Sequence, residues 1–393
     1  MESLRILWLN HRDQKHPQAG GSEVHFWEIA KRLTSWGNEV TLLSERFKGA
    51  PDHELLGDVE IYRIGGRASV HFHAVWKYLR KFKHQYDVVV DDIAHAVPWF
   101  TPIYVKKPII AVVHHVHREI LRQELSFPYS RITYLAEQAI PRIYQNVPFL
   151  TVSESTKEDL VSLGIRQEMI GVVYNGVDHE LYKPDWGSKS HYPHVLYLGR
   201  VKRYKNVDHV LKSIKLVAEK VPNVRLSIAG RGDGNVVEKL KNTVRKLNLE
   251  SIVAFHGEVS EDEKIRLLQQ AWVYVTASVR EGWGITVIEA AACGTPTIAY
   301  GVAGLKDAVV DGQTGLLSPY NDEKTLSDLI VTTLEDSVLR EKLSKKAAEF
   351  SKQFNWDKTA IQTLEMIKNA ILWASMAQRV EYKINQRLSL SLK

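Results

Sequence analysis

Short apolar or β-branched runs recur along this chain, and helical patterns fill the gaps between them. In the first half these runs are RILWL (5–9), EVTLLS (39–44), VEIYRI (59–64), DVVV (87–90), IIAVV (109–113) and FLTVS (149–153). Between the first two, Phe26, Ile29, Ala30 and Leu33 take the i, i+3, i+4, i+7 positions of an amphipathic helix. Strands joined by helices are the mark of parallel α/β layers, because a parallel pair needs a crossover connection. The second half restarts the pattern with HVLYLG (194–199), VRLSIAG (224–230), IVAFHG (252–257), WVYVTAS (272–278) and PTIAY (296–300). Between the halves, residues 174–193 carry Asn-Gly, Lys-Pro and Trp-Gly-Ser turn signals and little periodicity. At 393 residues the chain is too long for one comfortable core. The expected architecture is two doubly wound parallel-sheet domains of Rossmann type, 1–180 and 181–350, facing each other across a cleft. A helical segment, 351–393, packs back toward the first domain. Ligands of such sheets bind at the carboxyl ends of the strands.

Several function classes are excluded early. The single cysteine, Cys293, rules out an intramolecular disulfide or a multi-cysteine zinc site, and its alanine-rich setting reads as core. MESLRILWLN has neither the shape of a signal peptide nor that of an anchor, and no stretch reaches the length of a spanning helix. The expectation is therefore a cytoplasmic protein. A net charge of +6 and a pI near 9.0 suit phosphate-bearing ligands, nucleic acid or an anionic membrane surface without choosing among them.

Three glycine or base clusters fall at strand ends. In PQAGGSEVHFWEIA (17–30), Gly20 and Gly21 precede a helix, so a phosphate could approach free backbone N–H groups there; the competing reading is a tight turn capped by Ser22. YLGRVKRYKN (197–206) puts Arg200 and Lys205 just past a strand, where they could converge on one diphosphate or stand as solvated surface charge. In AGRGDG (229–234), Gly230, Gly232 and Gly234 miss the dinucleotide spacing by one position, leaving a glycine turn beside a nucleotide or sugar, or an ordinary tight turn.

Histidines number 16, and VVHHVHRE (112–119) holds His114, His115 and His117 without a zinc-protease pattern. His114 follows a strand directly, so its ring should project into the cleft as a hydrogen-bonding, acid–base or structural group. Asp91 and Asp92 read as strand-end caps, with a metal pair or ligand contacts as the other readings. No metal site is expected.

REGWGITVIEAAACG (280–294) is more specific. Gly284 offers no side-chain cap to a helix starting near Ile285, so the N–H groups of Ile285 and Thr286 stay available to an anion. Glu289 lies one turn in and leans back toward that terminus, where it could accept hydrogen bonds from a ribose. Glu281, before the helix, would reach the other side of the same phosphates.

These residues resemble the retaining glycosyltransferases of family 4, whose fold is GT-B. The similarity rests on Glu281 and Glu289 with seven residues between them, and on GGSEVHFWEIAKRL, TVSESTKEDL (151–160), YNGVD (174–178), LGRVKRYKN, IAGRGDG and VVDGQTGLL (309–317), nearly the whole chain to about residue 350. The resemblance implies an acceptor-binding first domain and a nucleotide-sugar-binding second domain, with UDP- or GDP-linked hexose as co-substrate and no further cofactor. It implies that Glu289 binds the ribose, Glu281 the donor sugar, Arg200 and Lys205 the diphosphate together with Gly21, Ile285 and Thr286, and His114 the sugar. Retention would come from front-face attack. The acceptor would be a glycan or lipid-linked hydroxyl, with no nucleic acid involved. A nucleotide-sugar epimerase of the same fold and a binding protein without turnover are the rivals. Two segments exceed the simplest family pattern, 114–145 and 366–393; they either lie on a bilayer, with Trp373 or Tyr382 at its interface, or pack as ordinary helices.

Overall fold

A computed structural model describes residues 3–118, 121 and 125–391, with side chains described through residue 376. Two sheets organise it. The first contains β1 (Arg5–Leu9), β2 (Glu39–Glu45), β3 (His53–Leu56), β4 (Val59–Ile64), β5 (Val88–Asp92), β6 (Ile109–Val113), β7 (Phe149–Thr151) and β8 (Ile170–Val172), in the order β3-β4-β2-β1-β5-β6-β7-β8. The second contains β9 (His194–Leu198), β10 (Arg225–Ala229), β11 (Val253–Gly257), β12 (Val273–Thr276), β13 (Thr297–Tyr300) and β14 (Gly315–Ser318), in the order β11-β10-β9-β12-β13-β14. Pairing is parallel except between β3 and β4. Strand order therefore reverses between β1 and β5 in one sheet and between β9 and β12 in the other. Those two switch points are where doubly wound folds open a crevice.

The helices that bear on the site are α1 (Gly21–Ser35), α2 (Val70–Lys77), α3 (Tyr129–Ile143), α4 (Glu154–Leu163), α5 (Glu261–Gln270), α6 (Ile285–Ala292) and α7 (Trp356–Ser391). In α1 the expected stripe of Phe26, Ile29, Ala30 and Leu33 is fully buried against Ile6, Trp8 and Val88. Burial of each larger side chain contributes about 1.5–3 kcal/mol, which anchors the helix terminus that faces the cleft. Ser22 is not the cap. The Gly20 N–H donates to the Glu23 carboxylate at 2.6 Å, and the helix begins at Gly21.

Two chain crossings join the sheets, one through residues 174–193 and one just before α7. They run side by side where Val177 bridges Asn355, and a side chain at Gly176 would collide with the Asn355–Trp356 backbone. Beyond this point α7 returns to the first sheet. Ala360, Ile367 and Ala370 join the core around Ile29 and Leu33, and Arg32 pairs with Asp357 at 2.5 Å. Leu372, Trp373 and Met376 are exposed, while the side chain of Tyr382 lies outside the described residues. Among the described residues no helix is long and apolar enough to cross a membrane.

Candidate active site

The strand ends at the two switch points face each other, and close backbone approaches define the seam. A methyl group at Gly20 would meet Arg200 Cζ at 3.0 Å, and one at Gly21 would lie 3.5 Å from Ile285 Cδ1. The glycine pair thus admits the opposite domain's guanidinium and helix terminus. Because Glu23 already occupies the Gly20 amide, Gly20 works here by having no side chain rather than by offering its N–H. A side chain at Gly282 would collide with the His114 carbonyl, so the loop before α6 also lies against β6. Ion pairs close the rim: Arg280 contacts Asp159, and Lys306 reaches Glu158 at 3.4 Å.

On the second sheet, Arg200 and Lys205 follow β9. Lys205 Nζ contacts the Glu281 carboxylate, which also accepts from Ser278 Oγ at 2.6 Å. Burial opposes the charge on Lys205, yet Glu281 outweighs it and the amine is held above its usual range. Glu281 therefore stands as an oriented acceptor, not a free carboxylate. Gly284 has φ +85°, a left-handed conformation that favours glycine, and it starts α6 without a side-chain cap. The N–H groups of Ile285 and Thr286 begin that helix as expected.

Glu289 is buried one turn into α6, where sequence reading placed it, but with a partner that reading missed. Lys264 on α5 reaches Glu289 Oε1 at 2.7 Å. Burial again opposes the ammonium, and Glu289 with Glu261 keeps it charged. In SEDEKIRLLQQ, Lys264 looks like one more solvated helix charge. Gly230 and Gly232 stand apart from this constellation: side chains there would strike the Gly199 backbone and Val201, so close approach of the β10 turn to the β9 turn accounts for both.

On the first sheet, His114 is held from two sides. Its ring nitrogen Nε2 lies 3.1 Å from Asp92 Oδ1, and its carbonyl accepts from Thr156 Oγ1 at 3.1 Å. Asp92 is fixed in turn by Trp8 Nε1 at 3.1 Å and Asn10 Nδ2 at 3.3 Å. Asp92 thus positions a histidine, whereas neighbouring Asp91 points to the other face of the sheet and binds Thr101 Oγ1 at 2.6 Å and the Tyr144 hydroxyl. Burial pushes the Asp91 carboxyl up to about 6. His25 on α1 sits edge-on to His114 with ring centres 4.9 Å apart, and its Nδ1 lies 2.6 Å from Asn175 Oδ1. Burial holds His25 down at about 4, so it is neutral at pH 7. His25 and Asn175 lie within GGSEVHFWEIAKRL and YNGVD, where no local pattern gives either a role. His115 is half-buried, and its surroundings push its imidazole well below the usual histidine range, while His117 lies 3.6 Å from Glu137 of α3. Among the described residues no group of His, Cys, Asp or Glu is arranged to hold a metal ion.

Comparison with known proteins agrees with this geometry. The family model described as Glycosyltransferase Family 4 matches residues 19–181, and that described as Glycosyl transferases group 1 matches residues 178–350. A D-inositol 3-phosphate glycosyltransferase of Corynebacterium aurimucosum is 24% identical over 90% of this chain and 92% of its own length. An uncharacterized glycosyltransferase of Methanocaldococcus jannaschii is 33% identical over 48% of this chain and 50% of its own. Among solved structures, sucrose-phosphate synthase of Thermosynechococcus elongatus superposes with a TM-score of 0.79 at 21% identity, covering 95% of this chain and all of that one (100%). Anabaena HepE in complex with UDP-glucose gives 0.74 at 20% identity, covering 93% and 100%. Two consecutive family models, meeting at the linker between two facing sheets, make this chain a GT-B glycosyltransferase of group 1.

Proposed function

We propose that the chain is a retaining, metal-independent hexosyltransferase that moves a sugar from a nucleoside diphosphate, UDP first among the candidates, to a hydroxyl of a glycan or lipid-linked acceptor. One observation carries the reading: Arg200, the Lys205–Glu281 pair, the open terminus of α6 and His114 meet at a single seam between the two switch points. Arg200 and Lys205 neutralise the diphosphate, and the Ile285 and Thr286 N–H groups bind its oxygens. Glu289, held by Lys264 at 2.7 Å, accepts the ribose hydroxyls. Glu281, oriented by Lys205 and Ser278, accepts from the donor sugar, and His114 hydrogen-bonds that sugar from the opposite wall.

In the transfer, the acceptor oxygen bonds to the anomeric carbon from the face the phosphate leaves. The carbon–oxygen bond to phosphate breaks, and the departing phosphate oxygen takes the acceptor proton. The carboxylates at the seam suit this route, because Glu281, Glu289 and Asp92 each already hold a fixed partner and none stands free as a nucleophile. UDP is favoured because the Anabaena neighbour is described in complex with UDP and UDP-glucose. Exposed Phe127, Tyr129, Ile132 and Leu135, with Leu372, Trp373 and Met376, support a peripheral position at the cytoplasmic face of a membrane.

Thermal-shift screening against a nucleotide-sugar panel, followed by transfer assays with wild type and Glu281→Ala, tests the reading. A donor at about 100 times its dissociation constant should add roughly 2.7 kcal/mol of stability. Binding without turnover in wild type would favour a binding protein, and conversion of the free nucleotide sugar would favour an epimerase. Equal recovery in the soluble fraction on flotation with anionic liposomes would remove the membrane assignment.

A further inference from the structure

The linker between the sheets reaches the donor half of the site from behind, through a side chain that has no use in the scheme above. Tyr182 is 4% exposed and joins the core around Leu268, Val287 and Cys293. Lys264 Nζ stands over its ring, 5.0 Å from the ring centre, and its hydroxyl donates to Glu261 Oε1. The same Glu261 oxygen lies 3.5 Å from Lys264 Nζ, which in turn lies 2.7 Å from Glu289 Oε1. One chain of contacts therefore runs from the linker across α5 to the carboxylate in α6.

A lysine ammonium on its four-carbon stem can take many positions. Here it has an aromatic face beneath it and a carboxylate on either side. Such a face attracts a cation electrostatically, and more strongly where water is excluded, whereas an aliphatic side chain of similar size only fills the space. Burial, with Glu289 and Glu261 adding to it, holds the Tyr182 hydroxyl well above its usual range, so it remains a donor. The ring itself is fixed from both directions along the linker. On one side the Tyr182 N–H donates to the Asp178 carbonyl at 2.8 Å, directly after the bridge between Val177 and Asn355, and His179 Nε2 lies 3.0 Å from the Phe354 carbonyl. On the other, the Lys183 carbonyl accepts from Gln269 of α5 at 2.9 Å, and a side chain at Gly294, just past α6, would collide with Trp186.

We infer that Tyr182 is a positioning residue for the donor: acting through Lys264, the linker ring holds Glu289 where the ribose hydroxyls meet it. The inference rests on the reading of Glu289 as the ribose ligand. Tyr182 touches neither donor nor reacting atoms in that scheme, so its influence is confined to what Glu289 binds. Affinity for the ribose hydroxyls depends on it, and the rate of transfer from bound donor does not.

The test uses the full chain and compares UDP or GDP, whichever wild type binds more tightly, with its 2′,3′-dideoxy form, by calorimetry. Wild type should prefer the hydroxylated nucleotide by about tenfold or more, as expected for hydrogen bonds to a charged acceptor. Tyr182→Leu should weaken that nucleotide several-fold and leave the dideoxy form within about twofold, so the preference collapses. The donor KM should rise by the same factor with kcat within about twofold. Tyr182→Phe, which keeps the aromatic face, should retain most of the preference, and Tyr182→Met replaces the leucine variant if that one does not fold. A merely structural role would weaken both nucleotides alike. That result, or an undiminished preference in Tyr182→Leu, overturns the positioning role and leaves the ribose reading standing. Wild type that binds neither nucleotide, or binds the dideoxy form equally well, removes the donor or ribose reading first and the inference with it.

Discussion

Lys264 and Glu289 show how much of the site depends on pairs that no local motif spells. The two-glutamate spacing singles out Glu289 but says nothing of Lys264, whose ammonium lies 2.7 Å from Glu289 Oε1 and is the fixed partner of that buried carboxylate. Lys264→Met should therefore weaken donor binding although Lys264 itself need not touch the donor, and it should cost about 3 kcal/mol of stability as an unpaired buried charge. Glu289→Ala should mainly raise the donor dissociation constant, whereas His114→Ala should mainly lower turnover. Calorimetry with the donor and steady-state rates separate the two roles; unchanged donor affinity in Glu289→Ala would remove the ribose assignment. Asp91 is a different kind of buried carboxylate, since it has no cation and its folded pKa of about 6 exceeds its ordinary value. Between those two values the folded state holds the proton more tightly than the unfolded chain, so this group's contribution falls as pH rises toward 6 and stays low above it. Asp91→Asn should then gain stability relative to wild type across that window, by at most roughly 3 kcal/mol. Denaturant midpoints for the two proteins at pH 4 and pH 7 check the sign.

At the level of elements, the central strands were legible because burial on both faces leaves a continuous apolar run, as in β1, β5 and β6. The strands that escaped sequence reading, β3, β8 and β14, are short, and each ends its sheet or flanks that end. With one neighbour or a half-exposed face they carry too few apolar residues to announce themselves. Helix termini divide in the same way. The uncapped start of α6 follows from Gly284, while at α1 the reach of Glu23 back to Gly20 takes the place of the Ser22 cap that the competing reading offered. Gly230 and Gly232 belong to a third group, where the reason for glycine is a neighbouring segment, the Gly199 backbone for one and the Val201 and Val237 side chains for the other, and cannot be read locally. Gly284 gives an element-scale prediction. Alanine there would need φ +85°, at a cost of about 1–2 kcal/mol, and would tilt the first turn of α6. Gly284→Ala should lose donor affinity out of proportion to its modest change in melting temperature. A variant that binds donor as well as wild type would show that the α6 terminus is not the anion site.

The whole molecule holds the two halves of its site together through a few contacts at the seam, and these set the last prediction. Arg280, on the loop just ahead of Glu281, contacts Asp159 of α4, and Arg118 donates to the Asp159 carbonyl at 3.1 Å. Burial raises the Asp159 carboxyl above its ordinary value, and the Arg280 and Arg118 guanidinium groups oppose that shift without cancelling it. Arg280 and Asp159 come from opposite domains, so that pair exists only when the cleft is closed, and closure brings Arg200 to Gly20 and the Gly282 backbone to His114. Closure also excludes water, whose attack on the donor competes with transfer. Arg280→Ala should leave both cores intact, because neither sheet depends on it, but should shift the population toward open forms. Expected consequences are a larger radius of gyration in solution scattering without ligand, a several-fold lower transfer rate, and a larger share of donor lost to hydrolysis. Gly282→Val should do the same more severely, since its side chain would strike the His114 carbonyl in the closed form alone. If both variants scatter like wild type and partition the donor between water and acceptor unchanged, the seam is not what brings the two switch points into one site.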